Sequence, residues 1–313
     1  MKCGVQNIHG VQNFNGCSVH VVQIGLGTNS TFIQNYASSG DWDEGLDWIL
    51  QVVGDVPLEC LAGVGVEPVR EHVEALLPRV KELLPRVSVV QQAIGDREQT
   101  SRLFKWPKQK HEELLRRVPP RQRGGLEWSL SYLVNMSCVG QQHPDMQHYL
   151  DSIRDIHGEH FDVEQVSVGV WTWGKLVQEL NFNGCEVLIV DTEGYDARVL
   201  RSMISHCLEC EGESAADVWP KVIQFETQGH CDKLEGGAAE WDVILALEKV
   251  GYTLVHYSYY NTHLARTKEL VQNCRVKYWA GSLVCDQCWR REAYPYLTAQ
   301  GDRKIYCRAC TAH

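Results

Sequence analysis

No apolar run in this 313-residue chain approaches the roughly 20 residues that a membrane-spanning helix needs, so no membrane partner is expected. Basic charge is also short. Against 40 Asp and Glu there are 30 Lys and Arg, and the net charge of -10 argues against a generic nucleic-acid binder. The leading residues, MKCGVQNIHGVQNFNG, have neither an apolar core nor a cleavage pattern; no signal peptide is read, and residues 1–18 are taken as a polar leader. Two nucleotide signatures are missing as well. There is no Gly-Lys-Ser/Thr of a P-loop, and Ser30 stands where the dinucleotide fingerprint would have its third glycine.

Cysteine, by contrast, is plentiful. The 13 cysteines are an odd number, scattered through core-like segments, and two pairs have metal spacing. Reduced thiols in a cytoplasmic protein are therefore expected rather than a secreted disulfide framework. Length and a hydrophobic content of 44% suit one large α/β domain, residues 19–284, plus a small appendage, residues 285–313.

The chain is organised around Val19–Phe32, VHVVQIGLGTNSTF. A β-branched run leads into Gly25-Leu26-Gly27-Thr28-Asn29, as expected of a strand buried on both faces of a parallel sheet. Two glycines permit a tight turn and close approach of backbone to a ligand, and Thr28, Asn29 or Ser30 can cap a following helix. A second helix is expected over Asp41–Val53. Leu58–Val69 reads as the next strand, stopped at Glu67-Pro68. A carboxylate there can accept both hydroxyls of a vicinal diol such as a ribose; a surface glutamate before a turn is the plainer reading.

Arg70–Leu84 reads as a helix broken or shortened by Pro78 and Pro85, and Val87–Ile94 as a third strand. Asp96, in the turn after it, can accept from an adenine amino group or simply close a Gly-Asp turn. Thr100–Trp106 reads as an extended edge segment, and Lys105–Gly125 as a basic loop that is simply solvated or, less plainly, attracts an acidic substrate. His143, His148, His157 and His160 show no catalytic-metal pattern and read as a solvated helix-and-loop region. A strand at Val166–Val170, a helix at Thr172–Leu180 and a strand at Cys185–Val190 follow, ending in Asp191-Thr192-Glu193-Gly194 before a helix. Val222–Glu226 is another strand ending in a carboxylate, with His230 just beyond. Trp241–Val250 is a helix and Tyr252–Tyr259 a strand. The pattern predicts an α/β fold, a doubly wound and mostly parallel sheet with its ligand at the carboxyl ends of the strands.

These motifs, in this order, resemble the FkbM-type family of S-adenosylmethionine-dependent methyltransferases, across about residues 19–285. The resemblance rests on VVQIGLGTNSTF, GVEP, VVQQAIGD, WTWGKLVQELNFNGCEVLIVDTEGYDARVL, and VIQFE followed by LEKVGYTLV. It implies a class I, Rossmann-like fold. It also implies that Gly25, Gly27 and Asn29 meet the methionine part of the cofactor, Glu67 the ribose, and Ala93, Ile94 and Asp96 the adenine. Asp191, Glu193 and Gly194 would lie near the reacting methyl, with Gln23 departing from the Asp common among relatives. A hydroxyl on a small molecule or sugar is the expected acceptor. Asp191 and Glu193, then Glu226 and His230, are the candidate bases. A catalytically inactive binding or assembly subunit is the alternative.

Finally, Cys285, Cys288, Cys307 and Cys310 form two C-x₂-C pairs with residues 289–306 between them, the spacing of a structural four-thiolate zinc ribbon. Two disulfides are the other reading. Arg290, Arg291, Arg303, Lys304 and Arg308 make this ribbon basic, so a protein or nucleic-acid partner is expected there. Cys207 and Cys210 share the spacing but lack a second pair.

Overall fold

The computed structural model describes residues 19–27, 61–117, 130, 132–157, 162–182, 184–210, 218–257 and 261–266, and the backbone of 293–297 and 303–307. In chain order the elements are β1 (Val19–Ile24), β2 (Leu61–Val66), α1 (Arg70–Leu83), β3 (Val87–Val90), β4 (Ala93–Ile94), β5 (Gln99–Lys105), α2 (Lys108–Arg117), β6 (Cys138–Val139), α3 (Pro144–His157) and β7 (Glu164–Trp171). Then come α4 (Trp173–Leu180), β8 (Val187–Val190), α5 (Asp196–Glu209), β9 (Val222–Glu226), α6 (His230–Glu235), α7 (Ala239–Lys249), β10 (Thr253–Tyr257), β11 (Asn261–Ala265), β12 (Ala293–Leu297) and β13 (Arg303–Cys307).

Seven strands form the main sheet in the order β10-β11-β9-β8-β1-β2-β3. β3, β2, β1, β8 and β9 run parallel, and β11 lies antiparallel to both its neighbours. β1 is the first strand in sequence yet sits mid-sheet, with β2 on one side and β8 on the other. The order therefore reverses beside it, which opens a crevice at the carboxyl ends. The expected α/β fold with a doubly wound, mostly parallel sheet is thus the observed one. Burial on both faces explains the unbroken apolar runs: all four residues of β8 are buried, as are Val21, Val22 and Ile24 of β1. Trp173 of α4, Phe225 of β9 and Leu200 and Met203 of α5 pack in the same core.

Several expectations are corrected. Val87–Ile94 is not one strand: the Gln92 N–H bonds the Val90 carbonyl two residues back, a tight turn that ends the ladder, and β4 belongs to a second sheet. That sheet has the order β4-β7-β5-β6 and takes β7, so Val166–Val170 lies outside the main sheet. β5 is central in it, paired with β7 and β6, rather than an edge. α1 runs unbroken through Pro78, which sits on the exposed face while Val73, Leu76 and Val80 are buried opposite. Their burial offsets the roughly 3 kcal/mol of an interior proline. Lys108–Arg117 is helix rather than loop, anchored by Leu114 against Trp106, Leu130 and Leu133. The helix at Asp41–Val53 lies outside the described residues. No helix among the described residues is long and apolar enough to cross a membrane.

β11 was not anticipated, and it buries His263 at 3% exposure, with the His256 ring 5.1 Å away. Burial first, and His256 second, hold the His263 pKa well below its ordinary 6.5. The folded state thus refuses a proton that the unfolded chain accepts, so this contribution is complete above about pH 6.5 and lost as pH falls. The urea midpoint should drop on acidification below pH 6.5, and His263→Gln should remove part of that drop. An identical pH slope in wild type and variant would overturn the assignment.

Candidate active site

Three loops meet at the crevice. After β1 the chain turns through Gly25 and Gly27, both in the left-handed region at φ +85° and +56°. Gly25 N–H bonds the Val66 carbonyl at 2.9 Å, and Asp191 N–H bonds the Ile24 carbonyl at 2.9 Å. A Cβ on Gly25 would overlap the Asp191 carbonyl oxygen, so glycine is required for β1 and β8 to end side by side. Glu67, leaving β2 and 3% exposed, fixes the turn. One carboxylate oxygen accepts the N–H groups of Leu26 (3.0 Å) and Gly27 (2.9 Å); the other accepts that of Val69 (2.8 Å) and lies 3.4 Å from His72 Nδ1.

Between these loops lies an open cleft of about 870 Å³. Gly25, Gly27, Glu67, Ala93, Ile94, Asp191 and Glu193 all line it, with Gln23 at its floor. Ser137, Asn135 and Val139 close one side, carried there by the second sheet. Asp96 is exposed and does not line the cleft. Asn29 lies outside the described residues, as do Cys285, Cys288 and Cys310; Cys307 is described only as the last backbone position of β13.

The Asp191–Gly194 loop is tied by a residue that the sequence reading passed over. Asp196, at the first turn of α5, accepts from Thr192 Oγ1 (2.9 Å), Gly194 N–H (3.1 Å) and Thr192 N–H (3.4 Å). Glu193 and Gly194 take positive φ of +55° and +103° inside this loop, and a Gly194 Cβ would strike Leu234 and the His230 backbone. The strain turns Glu193 inward. Its Oε2 lies 3.5 Å from His230 Nδ1, while Glu226 Oε2 lies 3.1 Å from the same nitrogen. Glu226 Oε1 accepts from Gln228 Nε2 at 2.5 Å. Asp191 and Glu193 face the cleft, and His230 and Glu226 stand behind Glu193.

Concentrated charge dominates the electrostatics. Asp191 opens to the cleft yet is enclosed by protein, and burial plus the carboxylates of Glu226 and Asp196 push its pKa well up. Glu193 is raised by burial and by Glu226 and Asp191, and Glu226 by burial and by Asp196 and Glu240. Burial lowers His230, so its imidazole stays neutral despite the acidic neighbours.

His143 overturns its expectation as a solvated residue. It is fully buried, and its ring stands edge-on to His230 with centroids 4.4 Å apart. Asp145, in the first turn of α3, places Oδ2 3.5 Å from His230 Nε2 and pairs with Lys233 Nζ at 2.6 Å. The only signal in sequence was His-Pro-Asp at a helix start, which reads as a cap. The basic stretch is also less available than expected: Arg117 pairs with Glu113, and Lys110 donates to the Asp162 carbonyl at 3.4 Å.

No protein-family model matches this chain, and no curated protein matches it. Among solved structures, the fibrillarin pre-rRNA processing protein of Methanococcus jannaschii aligns over 80% of this chain at 8% identity with a TM-score of 0.33. A fibrillarin of Aeropyrum pernix, solved with natively bound S-adenosyl-L-methionine, aligns over 79% at 7% identity and 0.32. The chain spans 66% of each of these two, just under two thirds of their length. A SAM-dependent methyltransferase from Aquifex aeolicus aligns over 80% of this chain and 82% of its own, at 14% identity and 0.31.

Glu67 carries a testable consequence. Gln at this position keeps one acceptor oxygen and turns an NH₂ group toward N–H donors, leaving at least one buried amide unsatisfied. Glu67→Gln should cost about 2–4 kcal/mol in denaturant unfolding and speed hydrogen exchange at Leu26, Gly27 or Val69. Unchanged exchange at Leu26, Gly27 and Val69 together would show that Glu67 does not hold the turn.

Proposed function

We propose that this protein is an S-adenosylmethionine-dependent methyltransferase acting on a hydroxyl of a small molecule or sugar. The charge of the cleft carries the reading. Its described walls contain Glu67, Asp191 and Glu193 and no Lys or Arg, and the Leu26 and Gly27 N–H groups already point at Glu67. A pyrophosphate, as in a dinucleotide, would meet those carboxyl groups, and the two N–H groups of the turn are already taken. A ligand bearing a sulfonium and an ammonium meets the carboxyl groups of Glu67, Asp191 and Glu193 and no cationic side chain of Lys or Arg among the described walls. Ala93 and Ile94 add an apolar wall suited to a flat base, and the glycine turn lets backbone come close.

When bound, the cofactor supplies a methyl group on a cationic sulfur, open to in-line attack by an oxygen. The residues of this chain orient the two partners and handle the proton. Asp191 is the leading base: its carboxylate faces the cleft, and its raised pKa makes it a stronger proton acceptor than an ordinary carboxylate. Glu193 is placed to do the same from the opposite wall, backed by Glu226 and His230. Glu67, with three N–H groups on its two oxygens, retains capacity for about one further donor, such as a ribose hydroxyl. The hydroxyl acceptor follows from the FkbM-type resemblance.

The appendage belongs to the same proposal. β12 and β13 pair antiparallel after the first C-x₂-C, and β13 ends on Cys307, which suits a zinc ribbon closed by Cys285, Cys288, Cys307 and Cys310 as a separate basic unit after residue 284. Cys138, Cys185, Cys207, Cys210 and Cys231 are free thiols, which fits a reducing, cytoplasmic setting.

Calorimetric titration of the full chain with S-adenosylmethionine tests the reading. Micromolar binding is expected. Gly27→Ala should weaken it about tenfold by pushing a Cβ toward the ligand, at roughly 1 kcal/mol of stability. Asp191→Asn should retain binding and lower methyl transfer by 10²-fold or more. A folded protein that does not bind the cofactor would be read instead as a non-catalytic assembly subunit.

A further inference from the structure

We propose that Glu193, Glu226 and His230 hold a divalent cation of the Mn²⁺ or Mg²⁺ type at the inner wall of the cleft, with the His143 imidazole donating to an oxygen carried by that ion. One ligand atom from each of the three residues lies within 4.8 Å of the other two. Two of the separations are tighter. Glu226 Oε2 and Glu193 Oε2 lie 3.1 and 3.5 Å from His230 Nδ1. Ligands about 2.1 Å from one ion stand about 3.0–3.5 Å apart at octahedral to tetrahedral angles.

Among the described residues no Lys or Arg pairs with Glu193 or Glu226, whose partners there are Gln228 and His230. Asp191 and Asp196 adjoin the two glutamates, and the nearby cations engage others: Lys233 pairs with Asp145, and Arg198 and Arg201 with Glu235. Enclosed carboxylates without a counter-charge are costly, and a divalent ion supplies that charge.

His143 gives an independent sign of a missing ligand. Its Nδ1 accepts the Asp145 N–H at 3.2 Å, so the neutral ring carries its proton on Nε2. Nε2 is buried and has no hydrogen-bond partner. The ring abuts His230, and one of its nitrogens lies within 4.8 Å of both the His230 and Asp145 ligand atoms. A buried donor without an acceptor, against the ring of a proposed ligand, is answered by an ion-bound water or a substrate oxygen. Two carboxylates and one imidazole favour a hard or borderline ion over a thiophilic one. Cys231, the neighbouring thiol, faces the Ala197 N–H instead.

Binding of the ion does not depend on the methyltransferase reading, although any use of it in methyl transfer would. Mn²⁺ alone, without cofactor, is titrated into the full chain and followed by electron paramagnetic resonance; the C-terminal thiolates compete poorly for this ion. One equivalent should bind at micromolar concentrations, and Glu226→Gln and His230→Gln should each weaken it at least tenfold with the circular dichroism spectrum unchanged. On the wild-type protein, substoichiometric Mn²⁺ should broaden the ring-proton resonances of His143 and His230 well before those of His256 and His263. Absence of one-equivalent binding below 1 mM (roughly the weakest useful affinity), or broadening that spares His143 and His230, would overturn the proposal. Mn²⁺ binding without cofactor binding would leave this site standing and remove the methyltransferase reading; cofactor binding without Mn²⁺ would do the reverse.

Discussion

The crevice depends on one carboxylate. Glu67 ends β2, yet its oxygens close the turn after β1 through Leu26 and Gly27 and begin α1 through Val69. Backbone donors at a glycine turn would otherwise form an anion site, as they do in phosphate-binding folds. Here the chain supplies its own anion. The turn remains close-fitting, but its donors are already engaged and no longer form an anion site.

The same economy of position governs the opposite wall. β8 ends against the β1 turn so closely that Gly25 admits no side chain, and the loop leaving β8 must then bend sharply. Asp196 holds that bend with three hydrogen bonds, and the bend forces Glu193 into positive φ. The side chain is thereby turned toward Glu226 and His230 rather than toward solvent. Packing and strain, not local preference, determine where this carboxylate lies.

Much of the frame was legible because its signals are local. β-branched runs ending in glycine or a carboxylate located β1, β2, β8 and β9, and the position of ligands beyond parallel strands followed from sheet geometry. The loops that line the cleft were found for that reason. What escaped was non-local. Alternation cannot distinguish a strand of the main sheet from β5 or β7 in a second one, since both bury residues similarly. Nor does His-Pro-Asp at a helix start reveal that α6, nearly 90 residues later, will bring His230 against it. Pro78 misled in the opposite direction: its local penalty is real, but burial along the other face of α1 outweighs it.

His143 shows how far a non-local contact alters chemistry. In an isolated helix start its Nδ1 would cap α3 and its Nε2 would meet water. Burial against His230 removes that water and leaves the donor without an acceptor. Burial and the neighbouring His230 also lower its pKa to about 4, so the ring remains neutral near pH 7 and offers one proton in one direction. A neutral imidazole cannot compensate the carboxylates beside it; it can only orient an oxygen that something else has brought. The cluster therefore lacks both a positive charge and an acceptor, and a hydrated divalent ion is the simplest species that provides the two together.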